Sequence, residues 1–250
     1  MFFTVAAFIF GLLVGSFLNV CIYRLPRGQS IVAPPSHCPA CGKTLTFIEL
    51  IPVISFLWQR GRCRRCKTKI SWRYLCLELL TGLLFVILYR HFGWPDVLWQ
   101  AAFYSVLVVI FFIDLDYRLI PNPLVLVLLL LTVAVQFIVR PNSLVEALAG
   151  GVLGGGLFLL LAVLSKGGMG GGDIKLMAVL GLWFGWQQAL LLIFLAFLSG
   201  GSLALLLLFL KKKKRKDAVP FGPFLVLSAL IVSMWGEQII AWYLRFSGLS

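Results

Sequence analysis

The feature that most constrains this chain is a series of long apolar runs without a charged side chain. Met1 to Tyr23 carries none, nor do Val97 to Ile113, Pro121 to Val139, Ala147 to Ser165 and Leu176 to Leu210. About 20 residues in a helix cover the roughly 30 Å hydrocarbon core of a bilayer. Backbone polar groups in lipid must be satisfied internally, so such runs fold as helices. The composition agrees, with 61% hydrophobic and 12% charged residues. The expected fold class is an all-α polytopic membrane protein with about eight transmembrane helices. The segments lie at roughly 2–23, 75–89, 97–113, 121–139, 144–165, 174–185, 187–210 and 220–243. Gly185-Trp186-Gln187-Gln188 alone divides the sixth from the seventh, so seven spans is the alternative count. The first run lacks a basic leading region and a small-residue cleavage site, and reads as a retained span.

Charge orders these segments. The net charge is +13. Under eight spans, Arg24 to Arg73, Arg118, Lys166, Lys175 and the Lys211–Lys216 run fall on one side. That side holds nineteen of the 22 Lys and Arg, leaving Arg90, Arg140 and Arg245 opposite. The bias marks the basic side as cytoplasmic, with both termini outside. Merging two spans would put the Lys211 cluster outside. The basic excess thus reads as topology and lipid-headgroup anchoring, with membrane lipid as partner and no nucleic acid.

Leu25 to Trp72 is the one sizeable soluble stretch, and about 50 residues need a staple to fold. Cys38-Pro39-Ala40-Cys41 and Cys63-Arg64-Arg65-Cys66 supply two CxxC pairs. Each places two thiolates at adjacent corners of a tetrahedron, and together they form a closed, structural Cys₄ zinc site. Disulfides or a redox pair are the alternatives, set against a reducing cytosol. Gly42 and Gly61 stand beside the pairs, where tight turns favour glycine. Cys21 and Cys76 read as small buried hydrophobes.

Of nine Asp and Glu, Glu49, Asp96, Glu146 and Asp217 have ordinary interfacial positions. Glu78 and Glu237 lie in or near spans, where interhelical hydrogen bonding is the plain reading. Asp114 ends the third apolar run, with Asp116 two residues on. Asp173 follows Gly170-Gly171-Gly172 at the mouth of the sixth. Both segments face the same side at similar depth. Two close carboxylates share a proton, which equips them as general base and general acid. The glycines would admit an extended substrate backbone. Helix capping by Asp173 and solvation of Asp114 are the alternative roles. Of the two histidines, His37 adjoins the cysteine loop and His91 lies on the outer side, so no Ser/His or Cys/His arrangement is supported. Gly150, Gly151, Gly154, Gly155 and Gly156 give small-residue spacing for close packing of the fifth segment on an unspecified neighbour.

The motifs resemble those of the type IV prepilin peptidases, bifunctional leader peptidase/N-methyltransferases of bacterial inner membranes. The resemblance runs from Gly15-Ser16-Phe17-Leu18-Asn19-Val20 and Tyr23-Arg24-Leu25-Pro26-Arg27-Gly28 through both CxxC pairs and Glu78-Leu79-Leu80-Thr81-Gly82. It continues through Asp114 with Ile120-Pro121 and Gly170-Gly171-Gly172-Asp173-Ile174-Lys175 to Pro220-Phe221-Gly222-Pro223-Phe224. It implies a membrane aspartic endopeptidase that cuts the basic leader from prepilin or pseudopilin substrates at the cytoplasmic face. It also implies N-methylation of the new terminus with S-adenosylmethionine, for which no binding residue is assigned. By the family's spacing the catalytic pair maps onto Asp114 and Asp173, with Asp116 a supporting acid. The implied organisation is a first span over 1–23, a zinc loop associated with methyl transfer over 24–74, and a peptidase region over 75–250. A transporter, which also uses acids beside broken helices, is the competing class. A zinc-dependent scaffold without chemistry is a third.

Overall fold

In a computed structural model, residues 1–139, 143–166, 168–210 and 220–248 are described. Arg140, Asp217 and the Lys211–Lys216 run lie outside them. The chain divides into two compact units, Met1–Val109 and Ile110–Ser250.

The first unit is built on α1 (Phe2–Arg24) and α3 (Trp72–Phe92), with a loop between them that holds α2 (Ile54–Trp58). Small residues bring the long pair together. A Cβ added at Gly11 would lie 2.8 Å from the Gly82 Cα, and one at Gly15 would lie 2.9 Å from the Glu78 Cα. Lipid gives no hydrophobic drive between helices, so close backbone approach and polar bridges hold them. Asn19 Nδ2 supplies a bridge, donating to the Tyr74 carbonyl at 3.2 Å. Buried Arg24 ends α1 and donates to the carbonyl of Ser30 at 2.9 Å, fixing the chain as it leaves the helix. α4 (Val97–Tyr117) begins in this unit and ends in the second.

The second unit continues with α5 (Asn122–Ile138), α6 (Leu144–Leu164), α7 (Gly171–Phe184), α8 (Trp186–Phe209) and α9 (Gly222–Phe246). The described residues therefore carry eight apolar helices besides the five-residue α2. Six are long and apolar enough to cross a membrane: α1, α3, α4, α6, α8 and α9. α5 has 17 residues and α7 only 14. Gly185, at φ +78°, breaks the chain between α7 and α8, so these are two separate helices and not one.

The glycine-rich face of α6 packs on α7. Gly150 abuts the Gly181 carbonyl, Gly151 the side chain of Leu182, and Gly154 that of Met177, whereas Gly156 meets nothing. At about 1.5 Å per residue, α7 spans about 21 Å and stops short of a full crossing. Its last carbonyls need partners in an apolar layer. Buried Gln136 of α5 provides one, donating through Nε2 to the Leu182 carbonyl at 2.8 Å. Ser143 donates in turn to Gln136 Oε1 at 3.0 Å.

Candidate functional site

The second unit assembles a carboxylate site from the ends of three helices. Asp114 stands three residues before the end of α4 and is 5% exposed. Its Oδ2 accepts the backbone N–H of Gly222 at 2.9 Å. Gly222 is the first residue of α9, where N–H groups have no partner within the helix and an anion is favoured. A side chain at position 222 would put its Cβ 2.8 Å from that same oxygen. Glycine is therefore what lets α9 begin against the carboxylate.

Asp173 lies in the first turn of α7, behind Gly170 at the N-cap. Its Oδ1 is buried and has no hydrogen-bond partner among the described residues. A buried carboxylate oxygen without a donor is costly and rare. The Asp114 carboxylate is near enough to repel it. Lys175, two residues along α7, donates to Asn122 Oδ1 at the start of α5, 3.0 Å away. Asp116 is exposed, two residues beyond Asp114.

The three glycines before Asp173 differ in purpose. A Cβ at Gly172 would strike Ile120 at 2.9 Å, and one at Gly170 would sit 3.0 Å from Asp173 Oδ2. Gly172 is held by packing on Ile120, whereas Gly170 is exposed and meets only the Asp173 carboxylate. Among the described residues, a Cβ at Gly171 would meet nothing within 4 Å. Gly222, read in the sequence only as part of a motif and given no role there, is the residue whose N–H meets Asp114. Its signal was present: Pro220-Phe221-Gly222-Pro223 places a glycine at the very start of an apolar run, where a proline already opens the helix.

In the first unit, Cys38, Cys41, Cys63 and Cys66 present sulfurs that all lie within 4.8 Å of one another. Cys38 Sγ and Cys66 Sγ are 3.8 Å apart. A tetrahedral zinc with Zn–S of about 2.3 Å requires S···S of about 3.8 Å, so the donor set fits that metal. Each pair sits on a knuckle of the same construction. Cys38 N–H donates to the Lys43 carbonyl and Gly42 N–H returns to Cys38, at 3.0 and 2.9 Å. Cys63 N–H donates to Thr68 and Lys67 N–H returns to Cys63, at 2.9 and 3.0 Å. Thr68, whose hydroxyl lies 3.3 Å from the sulfur, pulls the Cys66 thiol down to about 6. That favours the thiolate that a metal needs.

Both flanking glycines take the left-handed conformation expected of tight turns, Gly42 at φ +67° and Gly61 at φ +65°. Gly42 closes the first knuckle, and its counterpart in the second is Lys67 at φ +60°. Gly61 stands just before the second pair and also leaves room for the Phe56 ring, which would be 3.1 Å from a Cβ there. Cys21 is buried as expected, whereas Cys76 is exposed on α3. Glu78 fulfils its hydrogen-bonding reading: it is buried, bonds Ser16 of α1, and accepts the Val53 N–H at 2.8 Å.

Residues 9–92 match the family model of the bacterial peptidase A24 N-terminal domain, and residues 101–205 that of the type IV leader peptidase family. A prepilin leader peptidase/N-methyltransferase of Aeromonas hydrophila is 36% identical over 95% of this chain and 92% of its own. Its counterpart in Stutzerimonas stutzeri is 37% identical over 99% and 96%. The Bacillus subtilis protein of the same name is 34% identical over 96% and 97%. No solved structure matches the chain. Two family models and identity sustained nearly end to end place the chain in the type IV leader peptidase family, as a multi-pass membrane enzyme of the peptidase and N-methyltransferase type.

Proposed function

We propose that this enzyme removes the basic leader of prepilin-like substrates with an aspartic dyad, Asp114 and Asp173, at the cytoplasmic border of a bacterial inner membrane, and then methylates the new N-terminal residue. The observation that supports the reading is that the Asp114 carboxylate lies within electrostatic reach of Asp173. They are 59 positions apart in sequence, and Asp173 keeps a buried oxygen with no donor among the described residues. Close carboxylates share one proton. The ionised member takes a proton from water as it attacks the scissile carbonyl, and the protonated member gives its own toward the carbonyl oxygen. Reversing the transfers delivers a proton to the leaving amine and resets the pair. The Gly222 N–H holds Asp114 Oδ2 throughout, so its carboxylate keeps one orientation. Open space at Gly171 is where the substrate backbone passes.

The cytoplasmic orientation is supported by the charge bias of the sequence, which under eight spans puts nineteen of the 22 Lys and Arg on one side. Zinc on Cys38, Cys41, Cys63 and Cys66 would be structural, because four thiolates leave no open position. S-adenosylmethionine is the methyl donor by family membership, with no contact residue assigned. Residues 24–74 would serve methyl transfer and residues 75–250 proteolysis.

The test is cleavage of a purified prepilin in detergent by wild type, Asp114→Asn and Asp173→Asn, with folding followed by thermal melt. Loss of about 10³-fold in both, at unchanged melting temperature, is expected for a general acid–base pair. Near wild-type cleavage by either variant would remove the dyad and bring Asp116 forward.

A further inference from the structure

The loop of the first unit exposes an apolar surface that the proposed chemistry does not use. It is formed by a 3-10 turn, Phe47–Leu50, and α2, which pack on each other. Phe47 is 84% exposed and Trp58 81%, and Ile48, Ile54 and Leu57 are exposed beside them. A contiguous apolar surface of this kind on an otherwise polar loop marks a contact.

Its depth is fixed by the bond from the Val53 N–H to Glu78 Oε2. Glu78 is six residues into α3, about 9 Å along the axis from Trp72. A side chain leaning back a full turn toward the N-terminus still leaves the carboxylate about 4 Å inside the helix end. Ser16, which also bonds Glu78, lies eight residues before the end of α1, about 12 Å in. The Pro52-Val53-Ile54 turn therefore descends alongside α1 and α3 rather than standing off from them. It is a tight turn, with Ile54 N–H bonded to the Pro52 carbonyl at 2.6 Å and Val53 at φ +63°. A β-branched residue in that conformation is strained and persists only where its surroundings impose it. Here the buried Glu78 imposes it.

We infer that Phe47–Trp58 is an interfacial wedge, seated in the headgroup and upper acyl region of an anionic bilayer, which docks the four-cysteine module onto the membrane surface. Interfacial segments lie in that boundary, and the Val53–Glu78 bond keeps this turn beside the end of α3 rather than out beyond it. Trp and Phe favour the boundary. The charge around the wedge selects the lipid. Arg60, Arg62, Arg64, Arg65, Lys67 and Lys69 are all exposed, and residues 59–69 contain no acid. Four thiolates around a divalent metal carry only −2, so the cations stay in excess. The acid within the wedge, Glu49, is turned onto the Thr46 N–H and hydroxyl, both at 2.8 Å. Anionic phosphates are attracted to such a rim, at short range and in a salt-dependent way. A basic leader peptide would be repelled from it, which argues against substrate as the occupant. That last step rests on the proposed function. The depth argument does not.

The experiment labels the protein with 5-fluorotryptophan in nanodiscs of phosphatidylcholine and phosphatidylglycerol, and assigns the Trp58 resonance by Trp58→Phe. A lipid spin label near the headgroup should broaden that resonance at least threefold more than a water-soluble gadolinium chelate does. Discs of phosphatidylcholine alone should reduce the lipid effect at least twofold. Broadening by gadolinium but not by the lipid label would overturn the wedge, as would a resonance moved only by added prepilin, which would make the surface a substrate dock. An equal lipid effect in both discs would overturn the anionic preference. If Trp58→Phe does not fold, Phe47→Trp places a second reporter on the same surface, with the same outcomes decisive.

Discussion

The four-cysteine module and the two-aspartate site solve opposite problems. In the module, each ligand pair lies within four residues and is shaped by two backbone hydrogen bonds of its own knuckle. The site that results is local, repeated and polar. The aspartates come from the end of α4 and the start of α7, and the N–H that holds one of them comes from α9, 108 positions away. That site exists only when three helices are correctly packed. A metal site can fold on its own short segment because the ion supplies the binding energy. A carboxylate pair repels itself and must be forced together by the packing around it.

The comparison can be broken from either side. The largest effect should come from the module. Cys38→Ser, or zinc removal by a chelator, is expected to lower methylation by about 100-fold or more while leader cleavage falls less than about tenfold. Equal loss of both activities would show that the two sites are not separable. Gly222→Ala comes next. Its Cβ must displace the Asp114 carboxylate, 2.8 Å away. Cleavage should fall about 10- to 100-fold in kcat, the usual cost of misplacing a reacting group. Methylation of an already cleaved substrate should hold.

A smaller effect sharpens the dependence of the aspartates on packing. Gly150→Val drives a side chain into the Gly181 carbonyl and should cost about 1–3 kcal/mol, or a few degrees in Tm. Gly156→Ala, on the same helix but in open space, should change Tm by less than about one degree. Zinc content should be unaffected in both. The smallest change tests the knuckles against each other. Lys67 occupies, at φ +60°, the position that Gly42 fills in the first knuckle. Lys67→Gly relieves about 1 kcal/mol of left-handed strain against about 0.5 kcal/mol of added chain freedom. Resistance to chelator should rise about twofold.

Much of this was readable beforehand, for identifiable reasons. The eight apolar segments correspond to eight helices because charge-free runs leave a chain in lipid no other structure. Both cysteine pairs converge because CxxC spacing is itself the geometry of a knuckle. Glu78 was read as a hydrogen-bonding residue, but its partner Val53 was not named, since nothing in Ile51-Pro52-Val53 announces a turn lying against a helix. Cys76 was expected inside and is exposed. A period-3.6 face cannot be assigned to core or lipid when both are apolar. The three glycines before Asp173 looked equivalent in sequence. Ile120 and the Asp173 carboxylate gave two of them separate structural purposes.

What the sequence determined by itself is the inventory: apolar spans, a basic side, four thiols in two pairs, and two aspartates at the ends of spans. Each is local, set by composition or by spacing within a few residues. Tertiary structure decided the partners. It chose α7 as the neighbour of the glycine face of α6, gave Asp114 the Gly222 N–H, and left Asp173 Oδ1 without a donor among the described residues. These depend on which helices lie side by side. In a bilayer that choice rests on close backbone approach and a few buried hydrogen bonds rather than on hydrophobicity, which every helix here shares.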